Sequence, residues 1–94
     1  MNMQAMIKQA QKLQQDMISE KKKLDEEEFV VENEVLVLKM KGNKQIFELK
    51  FKKVEDKEMI EDLTMIAFNQ AIKDIENETE KRMGQYTRGM PGLF

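Results

Sequence analysis

The stretch Val35–Lys52 reads VLVLKMK–GN–KQIFELKFK, two alternating runs on either side of Gly42-Asn43. Glycine and asparagine adopt positive φ at low cost, so this dipeptide reads as the loop of a tight β-hairpin. A two-residue loop sets the register: Lys41 faces Lys44, Leu38 lies opposite Phe47 and Leu36 opposite Leu49. The other parity pairs Lys39 with Ile46, Val37 with Glu48 and Val35 with Lys50. One face is then apolar and the other is mixed and lysine-rich, and a slip of one residue would mix them. The remaining elements must cover the apolar face.

Before the hairpin, Met3, Met6, Ala10, Leu13 and Met17 fall three and four residues apart, the spacing of one helical seam. Residues 2 to about 24 read as an amphipathic helix with Asn2 as N-cap and Lys21-Lys22-Lys23 at the negative end of the dipole. The seam is narrow, so the helix is expected to pack near Met17–Leu24 and to project as an arm near Met1–Ala10. Phe29-Val30-Val31 reads as a first strand, with Glu32-Asn33-Glu34 turning into the hairpin.

After the hairpin, Asp56 is a suitable N-cap, and Glu58, Glu61 and Asp62 put negative charge where the helix dipole favours it. Around that second helix, Glu58, Asp62, Asn69, Lys73 and Glu76 occupy a narrow wedge, while Met59, Ile60, Leu63, Met65, Ile66, Phe68, Ile72 and Ile75 crowd the rest. Three strands cannot hide so wide an apolar arc. The surplus predicts a homodimer, with Met59, Leu63, Met65, Phe68, Ile72 and Ile75 at its interface. The helix is expected to end at Met83, with Gly84 just beyond it. Residues 85–94 carry no periodicity and are expected to be a flexible tail, with Leu93-Phe94 as an apolar anchor. The chain is thus a single α+β domain, residues 1–94, ordered α-β-β-β-α with a three-stranded antiparallel sheet.

Composition narrows the chemistry. Cysteine and histidine both number 0, which removes zinc fingers, thiol catalysis and most transition-metal sites. Ser19 is the one serine and sits mid-helix among lysines and acids with nothing to activate it. No glycine-rich phosphate loop is present, so no catalytic set, cofactor or metal site is expected. No apolar run approaches the ~20 residues of a membrane span, and a cytoplasmic protein is expected. The net charge of −2 is distributed in blocks. Residues 1–24 carry five lysines against two acids, 25–34 carry six acids alone, 35–53 carry six lysines against Glu48, and 54–83 carry nine acids against four bases. Such segregation either presents a cationic surface or neutralises itself on folding.

Several stretches, in order along the chain, resemble the YbaB/EbfC family of bacterial nucleoid-associated proteins. They are Met6-Ile7-Lys8-Gln9-Ala10-Gln11 with Leu13-Gln14, then Glu55-Asp56-Lys57-Glu58-Met59-Ile60-Glu61-Asp62-Leu63, Asn69-Gln70-Ala71-Ile72 with Met83-Gly84, and Gly89-Met90-Pro91-Gly92-Leu93-Phe94. Two features depart from it: Asp25–Glu28 stands where the family often has a glycine-rich entry to the sheet, and Lys52-Lys53-Val54-Glu55 replaces an Asp-Pro loop.

The resemblance implies a tweezer-like homodimer with helical arms, located on the nucleoid, which binds double-stranded DNA through its backbone without enzymatic activity. The candidate contacts are Lys8, Lys12, Lys21, Lys22 and Lys23 on the first helix, and Lys81, Arg82 and Arg88 near the arm tips. A second set is Lys39, Lys41, Lys44, Lys50 and Lys52 on the outer face of the hairpin. The alternative function is an adaptor dimer that binds protein and no nucleic acid.

Overall fold

The computed structural model describes residues 2–87. The elements run α1 (Met3–Glu26), β1 (Glu28–Glu32), β2 (Leu36–Lys41), β3 (Ile46–Phe51) and α2 (Lys57–Thr87). The strands form one antiparallel sheet with β2 in the centre. Both N-caps are those expected: Asn2 Oδ1 accepts from the Ala5 amide at 2.8 Å and Asp56 Oδ1 from Met59 at 3.1 Å.

The hairpin forms at the expected place with a different register. Its loop has three residues rather than two. The Lys44 amide donates to the Lys41 carbonyl at 2.7 Å, Lys44 takes φ 70°, and the Lys41 amide donates to Gln45 at 2.8 Å. A bulge between Lys39 and Met40 on one side and Ile46 and Glu48 on the other adds a second single-residue offset. Leu38 therefore faces Leu49, Leu36 faces Phe51, Lys39 faces Glu48 and Val37 faces Lys50. Two offsets of one residue restore parity, so Leu49 keeps the apolar side foreseen for it. Phe47 is the unpaired residue, and its ring lies 5.8 Å below the Lys41 ammonium rather than opposite Leu38.

Gly42 is required for a reason other than φ. A Cβ there would come within 1.8 Å of the Leu24 carbonyl oxygen, because the hairpin turn is seated on the end of α1. The Gly42 amide donates to the Glu27 carbonyl at 2.9 Å and Asn43 to Asp25 at 3.3 Å. Asn33 does similar work at the opposite end of the sheet. Its Oδ1 accepts from the Val35 and Leu36 amides at 2.8 and 3.1 Å, and its Nδ2 donates to the Leu63 carbonyl of α2 at 3.0 Å. That turn buries Val35, which the expected register had placed on the lysine side.

α2 lies across β1 and β2. Leu36, Leu38 and Met40 of the sheet meet Ala67, Ala71 and Ile75 of the helix in one core. The small alanines let the helix approach closely. A second cluster joins Met17 and Leu24 of α1 to Met83, with Phe29 and Tyr86 against them. α2 therefore does not stop at Met83. Gly84 is buried and the helix runs on through Thr87, because packing against Met17 outweighs the low helix propensity of glycine. Residues 88–94, with the expected Leu93-Phe94 anchor, lie outside the described residues.

Asn2 and residues 3–16 of α1 are all exposed. This is the projecting arm, and it gives the chain extents of 68 × 19 × 15 Å. The accessible surface is 7208 Å², against roughly 5,700 Å² for a compact monomer of this mass.

Candidate nucleic-acid interface

Two lysine-bearing surfaces emerge from this fold, and their electrostatics differ. On the outer sheet face, cross-strand register sets acids beside the lysines. Lys39 Nζ lies 3.2 Å from Glu48, and Lys52 Nζ lies 2.7 Å from Glu32. Lys41 stands opposite Glu28 and against the Phe47 ring, whereas Lys44, expected on this face, sits in the turn and lies 3.9 Å from Glu76 of α2. The Lys52 ammonium, hydrogen-bonded to Glu32 and attracting it, holds that carboxyl below its ordinary 4.5. Lys50, opposite Val37, has no ion pair among the described residues. The hairpin face is largely self-neutralised.

The α1 surface is arranged otherwise. Lys8, Lys12, Lys22 and Lys23 are exposed and form no ion pair among the described residues. At ~100° per residue they fall on the side of the helix away from Met6, Ala10, Leu13 and Met17, with Gln4, Gln11, Gln15 and Ser19 between them. From Lys8 to Lys23 the stripe runs ~22 Å along the axis. Lys21 stands apart from it, 2.7 Å from Asp25 one turn on.

Near the end of α2, Lys81 is exposed, whereas Arg82 is engaged by carboxylates. Its Nη1 lies 2.8 Å from Glu27 Oε2 and its Nη2 donates to Glu27 Oε1 at 3.1 Å. Its Nε lies 2.9 Å from Glu78 and 3.8 Å from Glu20. This guanidinium sits at the root of the arm rather than at a tip. Arg88 lies outside the described residues.

The expected dimer residues also separate. Ile75 is 1% exposed and belongs to the core of its own subunit. Met59, Leu63, Phe68 and Ile72 are half-buried against that core, and Met65 is 61% exposed. The Lys44–Glu76 pair sets the flank of α2 that carries Phe68, Ile72 and Met65 toward the hairpin. There α2 leaves β3 uncovered: Ile46, Leu49 and Phe51 share a face with the buried Met40, Leu38 and Leu36, yet all three are exposed. Sequence reasoning missed β3 as part of this corner. Its signal was the length of the apolar face, since one helix is too narrow to cover three strands.

Among the described residues no group of histidine, cysteine or carboxylates is arranged to hold a metal ion. No described helix is long and apolar enough to cross a membrane.

Known proteins place the chain. Residues 1–90 match the YbaB/EbfC DNA-binding family. A nucleoid-associated protein of Enterococcus faecalis is 40% identical over 98 residues, covering 98% of this chain and 94% of its own. One from Clostridium kluyveri is 39% identical over 101 residues, covering 99% and 89%, and one from Lactobacillus gasseri is 38% identical over 95 residues, covering 95% and 87%. With the α-β-β-β-α order and the match over nearly the whole length, the chain belongs to the YbaB/EbfC DNA-binding family, a family of binding proteins rather than enzymes.

Proposed function

We propose that this protein is a homodimeric, nucleoid-associated DNA-binding protein of the cytoplasm. It grips the sugar-phosphate backbone of double-stranded DNA through Lys8, Lys12, Lys22 and Lys23 of each arm. The observation that carries this reading is the contrast between the two lysine surfaces: of the five lysines on α1 only Lys21 is ion-paired among the described residues, while most of those on the sheet are paired. Lysine and glutamine on an exposed helix reach phosphate oxygens without reading bases, which fits binding with little sequence preference. The second copy joins at the corner of Ile46, Leu49, Phe51, Met65, Phe68 and Ile72, where apolar side chains otherwise meet water.

Fluorescence anisotropy with a labelled duplex, titrated with salt, tests this. Four phosphates neutralised on each of two arms give a slope of log K against log salt of about −7. Replacing the four α1 lysines by glutamine should remove most of that slope, and replacing Lys39, Lys41 and Lys50 should change it little. The reverse ranking, or no binding at low salt, would refute the assignment. A second reading, an adaptor dimer that binds protein, is favoured by the exposed seam of Met3, Met6, Ile7 and Leu13 on the arm. Binding of a duplex with a steep salt slope would exclude it as the sole function.

A further inference from the structure

The sequence offers Arg82 as a phosphate ligand, and its surroundings contradict that role. A phosphate approaching this guanidinium meets Glu20, Glu27 and Glu78, three carboxylates against one positive charge. Its side chain is only 28% exposed, and its planar fork is already occupied by Glu27 through Nη1 at 2.8 Å and Nη2 at 3.1 Å. The three acids come from different places: Glu20 from α1, Glu27 from the junction of α1 with β1, and Glu78 from the preceding turn of α2 itself. One side chain thereby ties the end of α1, the entry to the sheet and α2.

That location matters because the direction of the arm is fixed only at its root, where this pairing joins the hairpin turn's bonds to Asp25 and Glu27 and the apolar seat of Met17 and Leu24. Residues 2–16 are exposed along their whole length, so the aim of α1 depends on how residues 17–27 are held. Met17 and Leu24 supply an apolar seat against Met83, but methionine contacts are soft and tolerate rotation. Lys8 stands 16 residues from Leu24, ~24 Å along the helix, so a tilt of about 10° at the root moves it roughly 4 Å. That exceeds the axial rise per phosphate on one DNA strand, about 3.4 Å.

We propose that Arg82 is a positioning residue: its ion pair with Glu27, one contact of which is a hydrogen bond, braced by Glu20 and Glu78, fixes the angle of the arm and so the register of the α1 lysines on phosphates. The proposal deepens the DNA-binding reading and rests on it for its functional half. The clasp itself is a statement about the free protein.

The test separates the two. Because the chain has no cysteine, spin labels can be placed uniquely at Gln4→Cys on the arm and Glu61→Cys on the body, in labelled chains diluted with unlabelled ones. Pulsed dipolar distances should form a narrow distribution in the otherwise wild-type protein. They should broaden in Arg82→Lys and in Glu27→Ala, with helix content retained by circular dichroism. Arg82→Lys keeps the charge but loses the fork. DNA affinity should fall on the order of fivefold, the cost of ordering a loosened element on binding, with the salt slope unchanged.

Glu27→Ala gives the sharper result. Removing a negative charge beside a DNA-binding arm strengthens binding if electrostatics alone acts, whereas loss of the clasp weakens it. The double variant should be no weaker than the worse single one, since the two residues act as a unit. Tighter binding by Glu27→Ala, wild-type affinity in Arg82→Lys, or narrow distances in both variants would each overturn the proposal. A wild-type chain that binds no duplex at low salt would overturn the DNA reading instead, and the distances would then decide the clasp by themselves.

Discussion

Gly42→Ala is the substitution on which the architecture makes its firmest demand. The added methyl would lie 1.8 Å from the Leu24 carbonyl oxygen and 2.7 Å from its carbon, both backbone atoms of α1 that no rotamer change can move aside. The turn must lift off the helix end. It then loses the bonds from Gly42 to Glu27 at 2.9 Å and from Asn43 to Asp25 at 3.3 Å, each contributing about 1 kcal/mol net. Strain from overpacking adds about 1–3 kcal/mol. Alanine returns about 0.4–1 kcal/mol by restricting the unfolded chain, since Gly42 uses no left-handed φ.

The net loss is about 2–4 kcal/mol, a large part of the roughly 5–14 kcal/mol expected for 94 residues. Urea unfolding followed by far-ultraviolet circular dichroism measures it, at one fixed protein concentration because self-association would shift the midpoint. The melting temperature should fall ~10–25 °C. Two residues away, Lys44→Gly should act in the opposite direction. Lys44 holds φ 70°, where an L side chain costs about 1–2 kcal/mol, and its ion pair to Glu76 is long and exposed. A modest rise in stability is expected. If Gly42→Ala costs less than about 1 kcal/mol, less than its two hydrogen bonds are worth, the seating of the turn on α1 is wrong.

Asn33→Ala removes the acceptor for the Val35 and Leu36 amides and the donor to Leu63, so urea unfolding should show a loss of about 2–3 kcal/mol with an unchanged slope. Phe51→Glu and Met65→Glu each put a charge into the uncovered corner, and sedimentation should show a folded monomer; persistence of the dimer at micromolar concentration would move the interface elsewhere. Glu32 should titrate below 4.5 by NMR, and Lys52→Met should return it toward that value. Because its folded pKa is depressed, its contribution to stability is present above the unfolded pKa and is lost as pH falls through the folded one.

The order of elements was legible because each left a local signal: a heptad-like seam, an alternating hairpin, a capped second helix. Local signals also explain the misses. Gly42-Asn43 announces a turn, but whether it takes two residues or three depends on the end of α1 pressing against it, which is a contact across 18 residues. Gly84 looks like a helix stop in isolation, but Met83 and Tyr86 beside it pack with Met17 and Leu24, far away in sequence. Val35 alternates onto the wrong face until Asn33 is seen to organise the bend before it. Arg82 looks like any cation near a helix end. Its role appears only when Glu20, Glu27 and Glu78 are brought around it.

The same pairings resolve how a chain of net charge −2 can meet a polyanion. Its acids are not spread evenly over the folded surface. Glu48 and Glu32 sit against Lys39 and Lys52, Glu76 against Lys44, Asp25 against Lys21, and Glu20, Glu27 and Glu78 around Arg82. Each one-to-one pair so placed cancels most of its field beyond about a Debye length, ~8 Å at physiological salt, whereas the three acids around Arg82 leave an excess of negative charge at the root of the arm. The cations without an ion pair among the described residues include the four on the face of α1 away from its apolar seam. Among residues 3–23, Asp16 and Glu20 are the only acids, and Glu20 already faces Arg82. A net charge summed over the sequence therefore misstates what a phosphate backbone would meet at the arm. The fold separates the charges along the chain, with five lysines against two acids in residues 1–24 and the acid-rich α2 on the body.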